Sequence, residues 1–175
     1  MSRVAVVSPF SRPAEAEAAL RRDLEVACVI AATSEELEIH HEIRRRVFVV
    51  EQGFFELSDR DEHDGDPATV HVLGLYGPVA GGAVRIYPLG EPGLWKGDRL
   101  AVLPAFRRRG LGGPLVRFAV RTAAARGGRR MIAHVQPPNV RFFEHLGWER
   151  VGEPTEYVGR PHQLMAIDLR PFAAG

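Results

Sequence analysis

The stretch Arg99–Leu115, RLAVLPAFRRRGLGGPL, decides how this chain reads. Leu100 to Leu103 reads as a short buried strand, which passes through an arginine- and glycine-rich turn, Arg107 to Gly113, directly into a long helix that Pro114 opens at its first position. A turn of this kind is an anion site. Glycines let consecutive backbone N–H groups converge with no Cβ in the way, and the helix adds its unpaired amides and the positive end of its dipole. A pyrophosphate is then held mainly by main chain, with Arg107, Arg108 and Arg109 adding charge. Three arginines in a row usually mark a solvated turn; between a buried strand and a helix start, they address the same point as the amides. A dinucleotide fingerprint needs a third glycine where Leu115 stands and an acid about 20 residues on, where Arg129 and Arg130 occur instead. A P-loop needs Gly-Lys and then Ser or Thr where Gly112-Gly113-Pro114 stands. Neither fits.

Outward from this turn, Gly127 and Gly128 close the long helix and Met131 to Val135 is a strand. Pro138 opens a second short helix with Phe142 and Leu146 on its apolar side, ended by Gly147, and Trp148–Val151 and Leu164–Leu169 read as closing strands. Upstream, Thr69–Tyr76 and Val79–Leu89 form a hairpin about Gly77 and Pro78. Val26–Ala31 has strand length, and Thr33 with Glu36 has the form of a capping box that starts an amphipathic helix. Its stripe is Ile39, Ile43 and Val47, with Glu38, Glu42, Arg44, Arg45 and Arg46 on other faces, and it runs out near Gly53. Residues 1–22 read as a loosely attached N-terminal arm and residues 23–175 as one α/β domain, a mixed sheet covered by helices.

Composition limits the function classes. A chain of 175 residues supplies one ordinary domain, and Gly 18 with Pro 13 stays below the ~25–30% that signals low complexity. With 23 basic and 22 acidic side chains the formal charge is +1, so no global field draws the protein to nucleic acid or an anionic membrane. The single cysteine, Cys28, cannot form an internal disulfide and reads as a core residue rather than a nucleophile. No long apolar run or leader stands at the start, and the expected compartment is the reducing cytoplasm.

Arg107, Gly110 and Gly112 match the arginine, two residues, glycine, one residue, glycine signature of the GNAT superfamily of N-acetyltransferases. Pro138–Trp148, PNVRFFEHLGW, resembles that superfamily's second cofactor segment. VFVVEQ at 47–52, DRDEHD at 59–64 and PHQLM at 161–165 are similar to the ElaA-like branch. With WKGDRLAVLP at 95–104 the chain also looks like acetyltransferase domains of bacterial nitrilase-containing gene clusters. The resemblance covers roughly Val26 to Leu169. It implies a mostly antiparallel sheet, acetyl-coenzyme A as co-substrate with no metal, and a small-molecule amine as acceptor, with neither nucleic acid nor membrane as partner. Dimers are frequent among similar proteins, so a homodimer is one expectation.

The resemblance also implies roles. Leu100, Ala101 and Val102 would pair with the pantetheine amides like an extra strand, the N–H of Ala101 or Val102 polarising the thioester carbonyl. Arg107, Arg108, Arg109, Gly110, Leu111, Gly112 and Gly113 would hold the pyrophosphate, and Asn139, Phe142 and Phe143 would contact the cofactor. Phe143 departs from the pattern: many members place there a tyrosine that protonates the leaving thiolate, and phenylalanine has no proton to give.

The acceptor side must be read from side-chain chemistry. An amine has to lose a proton before it attacks, and His134, His162 and Glu51 are the candidate bases. Asp59, Asp61, Glu62, Asp64 and Asp66 form either a charged loop or part of a pocket that attracts a cationic amine. Asp61 and Glu62 are the acidic substrate-binding candidates; Arg85 and Arg99 either pair with these acids or hold an acceptor carboxylate. Calcium in an EF-hand is excluded, since Asp64 occupies the glycine position and Val70 that of the closing Glu. The expected protein is an acetyl-coenzyme A dependent N-acetyltransferase working by direct transfer in a ternary complex. The alternatives are a non-catalytic acyl-coenzyme A sensor or assembly module, and an acyltransferase related to acyl-homoserine-lactone synthases.

Overall fold

The computed structural model describes residues 3–173. Strands β1 (Val26–Ile30), β2 (Val70–Tyr76), β3 (Val79–Pro88), β4 (Leu94–Val102), β5 (Arg130–Val135), β6 (Glu149–Arg150), β7 (Thr155–Tyr157) and β8 (Arg160–Asp168) build one mixed sheet in the order β1-β2-β3-β4-β5-β8-β6, with β7 on β8. All pairings are antiparallel except β4 with β5. The helices are α1 (Pro13–Leu20), α2 (Ser34–Arg44), α3 (Gly112–Ala125) and α4 (Val140–His145).

The parallel pair positions the site. β4 and β5 are in register only at Leu94 with Arg130, Trp95 with Met131 and Lys96 with Ile132; beyond Lys96 the two strands part. The cause lies in β4: between the pairs Arg85 with Asp98 and Ala83 with Ala101 it carries one residue more than β3. That bulge puts Arg99 at φ 54, a left-handed conformation unfavourable to a non-glycine residue, and a bulge bends and twists its strand. Helix α3 lies on one face and closes down because two glycines oppose it. A Cβ at Gly74 or Gly82 would come within 3.0 or 2.8 Å of the Leu115 side chain, which is fully buried. Helix α2 covers the other face with Ile39 and Ile43, its start fixed by the Thr33–Glu36 capping box.

Several expectations change. The arm is docked: Val7 bonds to Pro78 and Ala80 of the β2–β3 hairpin, and α1 buries Ala16 and Ala19 in the core. Helix α3 begins at Gly112, so Pro114 is its third residue. Helix α2 passes at Arg45 into a π-helical segment ending at Glu51, and Arg44 is fully buried rather than on an outer face. β4 starts six residues earlier than the apolar run because Trp95 and Gly97 face the core, and β7 is an added short strand whose hairpin turns at Val158 and Gly159.

Candidate functional site

Where β4 and β5 separate, a cleft with a cavity of about 120 Å³ passes between them. Leu100, Arg99, His134, Gln136, Asn139, Phe143, Tyr157 and His162 line it together with apolar side chains from β3, α3 and the α2 extension. On β4, Leu103 donates to the Gly81 carbonyl on the β3 side. Strand alternation then turns the amide of Ala101 toward β3 and the amide of Val102 toward the cleft, which separates the two candidates the sequence left open.

The glycine turn lies between the end of β4 and α3. Gly110 has φ 73, and a Cβ there would touch nothing, so conformation rather than space requires glycine. Leu111 provides no side-chain cap for α3, and the first hydrogen bond of the helix is from Leu115 to Leu111. The amides of Gly112 and Gly113 therefore precede that bond and face outward, as an anion requires. Phe142 packs over Gly112, whose Cβ would stand 3.3 Å from its ring. The three arginines differ. Arg107 turns back to the Val102 carbonyl (3.1 Å) and Glu51 (2.6 Å), and Arg109 reaches the Leu20 carbonyl and lies over the Tyr76 ring. Arg108 is exposed and forms no ion pair or hydrogen bond among the described residues.

On the α2 face, His134 stacks on Tyr157 with ring centroids 4.0 Å apart, and Lys96 donates to the Tyr157 hydroxyl at 2.9 Å. Burial, and then the Lys96 ammonium, holds the His134 pKa below the usual histidine value, so this ring stays neutral. His162 is buried and its Nδ1–H donates to the Arg160 carbonyl at 2.9 Å, which fixes the ring and makes Nε2 the nitrogen free to accept a proton in the neutral tautomer. Tyr157, Trp148 and Phe54 are cleft residues that the sequence reading did not assign to the site, and Lys96 supports Tyr157 from behind. The first sits in a strand too short to register as a pattern, and the others lie among residues that read as core or loop.

The acidic segment is not in the cleft. Arg85 is fully buried and donates to both oxygens of Asp98 (2.8 Å each) and of Asp61 (2.6 and 3.0 Å), with Asp64 3.1 Å away. Arg44 pairs with Asp59 at 2.7 Å and Asp64 at 2.7 Å, and Arg99 holds the Asp59 carbonyl and carboxylate. Arg85 and Arg99 thus pair with the acids, one of the two alternatives the sequence offered; Arg85 and Asp61 lie outside the cleft lining, whereas Arg99 is also part of it. Glu62 is exposed beside that network, and Glu51 is occupied by Arg107. His41, Asp64 and His71 bring donor atoms within 4.8 Å of one another, but Arg44 and Arg85 already neutralise Asp64, a poor setting for a cation. No helix among the described residues is long and apolar enough to cross a membrane.

Comparison with known proteins agrees with this geometry. The chain is 30% identical to the uncharacterized N-acetyltransferase YjcF of Bacillus subtilis (strain 168), over 80% of this chain and 98% of that one. Its fold matches the crystal structure of Escherichia coli ElaA at a TM-score of 0.70, with 24% identity, 82% of this chain and 98% of the other covered. It also matches BjaI, a coenzyme A dependent acyl-homoserine lactone synthase solved with S-adenosylmethionine and isopentyl-coenzyme A, at a TM-score of 0.68, with 19% identity and 86% of each chain covered. The model of the acetyltransferase (GNAT) family matches residues 35–148, from α2 through the glycine turn to Trp148, and the chain belongs to that family.

Proposed function

We propose that the protein transfers an acyl group from a coenzyme A thioester to a small-molecule amine, in one step within a ternary complex. The observation that carries this reading is the separation of β4 from β5 beside a turn of free amides, which offers one continuous track for a pyrophosphate and a peptide-like arm. Gly110, Gly112, Gly113 and Arg108 would hold the diphosphate, and Leu100, Val102 and Asn139 the pantetheine arm. The Val102 N–H would receive the charge that develops on the thioester oxygen, a large contribution when fixed donors replace water. His162 would take the amine proton through Nε2, with neutral His134 beside it. The amine nitrogen forms the new C–N bond, the C–S bond breaks, and coenzyme A leaves as thiolate. With phenylalanine at 143, water or Tyr157 supplies the proton that the thiolate takes up.

Calorimetric titration with acetyl-coenzyme A tests the reading: saturable binding is expected, and binding absent at millimolar ligand would overturn it. In Gly110→Val the left-handed φ strains a β-branched residue by about 1–3 kcal/mol, and affinity falls roughly tenfold or more. Thiol release with a panel of amines separates an enzyme from a non-catalytic acyl-coenzyme A sensor, which would bind without turnover. His162→Gln should lower kcat while leaving acetyl-coenzyme A affinity in place.

A further inference from the structure

The two sides of the cleft differ in chemistry. On the α2 face the cleft is polar and aromatic, with His134, Tyr157 and His162. On the α3 face it is aliphatic: Ile86 and Gly97 form a register pair, Met131 and Ala133 follow on β5, and Val116 and Ala119 come from α3. All but Gly97 of these belong to the buried core, yet they border open space rather than fill it. Small residues make that space. A Cβ at Gly97 would stand 3.4 Å from the Met131 sulfur and 3.7 Å from Ile86, so anything beyond a methyl group would project into the cavity. Nothing about Gly97 demands glycine for its backbone, since its φ is not positive.

We infer that this apolar chamber receives the acyl chain of the donor, and that the substrate class is a linear aliphatic acyl-coenzyme A of about four to six carbons rather than acetyl-coenzyme A. The cavity of about 120 Å³ is shared by the polar and the aliphatic sides of the cleft, so the aliphatic side holds a few methylenes rather than a long chain and leaves an acetyl methyl underpacked. The tail extends toward α3 and the amine enters from the His162 side, so donor length and acceptor choice are set by separate walls. This rests on the thioester-binding reading above.

The test is calorimetric titration with coenzyme A and with its acetyl, butyryl, hexanoyl and decanoyl thioesters, which needs no acceptor. Each methylene that enters the chamber tightens binding by up to about fourfold, so hexanoyl-coenzyme A should bind at least tenfold more tightly than acetyl-coenzyme A, with no further gain at decanoyl. Gly97→Val should erase most of the hexanoyl advantage; melting temperature and affinity for coenzyme A itself report that the variant is folded. Equal affinity for acetyl and hexanoyl thioesters overturns the inference, as does a hexanoyl advantage that folded Gly97→Val retains or a gain that continues unbroken to decanoyl. If Gly97→Val does not fold, Ala119→Leu replaces it. Failure of every compound, coenzyme A included, overturns the thioester reading instead.

Discussion

The acidic loop at 59–66 and the glycine turn at 107–113 carry comparable densities of charge, and the fold uses them in opposite ways. In the loop, Asp59, Asp61 and Asp64 meet the buried guanidinium groups of Arg44 and Arg85, so the charges are consumed in holding α2, the loop and β3 together. In the turn, the amides of Gly112 and Gly113 and the Arg108 side chain have no acceptor among the described residues. A ligand site is distinguished by polar groups left without partners, not by how many polar groups the sequence places together.

Removing a guanidinium from the loop network gives the largest effect. Arg85→Leu removes the bidentate partner of the buried Asp98 and of Asp61 and one of the two guanidinium groups on Asp64, and breaking such a network costs about 3–5 kcal/mol. Thermal denaturation should therefore show a loss on the order of 10 °C, against almost no change for Glu62→Ala, whose side chain is exposed. Equal melting temperatures for Arg85→Leu and the parent would return the loop to the list of acceptor-site candidates.

Within the turn a smaller contrast is expected. Arg108→Ala should weaken acetyl-coenzyme A binding by roughly tenfold, as loss of a charge-assisted hydrogen bond does, and the loss should shrink as salt rises. Arg109→Ala should leave that affinity nearly unchanged and lower the melting temperature instead, because Arg109 ties the turn to the end of α1 and to Tyr76. The opposite result, with Arg109 controlling affinity, would mean that the turn rearranges around its ligand.

The sequence made the backbone features of this contrast legible and hid the side-chain ones. Gly110 and Gly112 announce themselves because only glycine serves a left-handed turn or a close ring contact, and the Thr33–Glu36 cap is a local spacing rule. Arg85 and Asp61 lie 24 positions apart and meet only because β3 and the loop after α2 pack together, so periodicity cannot tell their pairing from an open charged surface. The same holds for Tyr157 with His134, and for the α3-face chamber, whose small residues Gly97 and Ala119 read as ordinary core. The docked arm escaped for a related reason: α1 buries two alanines, too weak a stripe to stand out from the surrounding glutamates.

The gentlest probe of the loop network is pH. His40 is fully buried and its pKa is held well below the usual histidine value by burial and then by Arg44; His41, half-buried beside it, is lowered by burial and then by Arg44 to about 4. In the unfolded chain both take up a proton near pH 6.5, whereas the folded protein refuses it. Stability is thus complete above about pH 6.5 and drains as pH falls toward 4. Asp61 and Asp64 act in a separate window: burial alone would raise them, but Arg85 on Asp61, and His71 with Arg44 on Asp64, hold both below the usual carboxylate range. Their contribution is present above about pH 4 and is lost only in stronger acid. Melting temperatures measured from pH 7 to 5 should therefore decline for the parent and decline less for His41→Gln, by a small margin because that ring is partly solvated. A His41→Gln variant with an unaltered slope would assign the acid sensitivity to the other lowered histidines, His134 and the fully buried His40, whose Nε2–H donates to the Val84 carbonyl at the edge of the cleft.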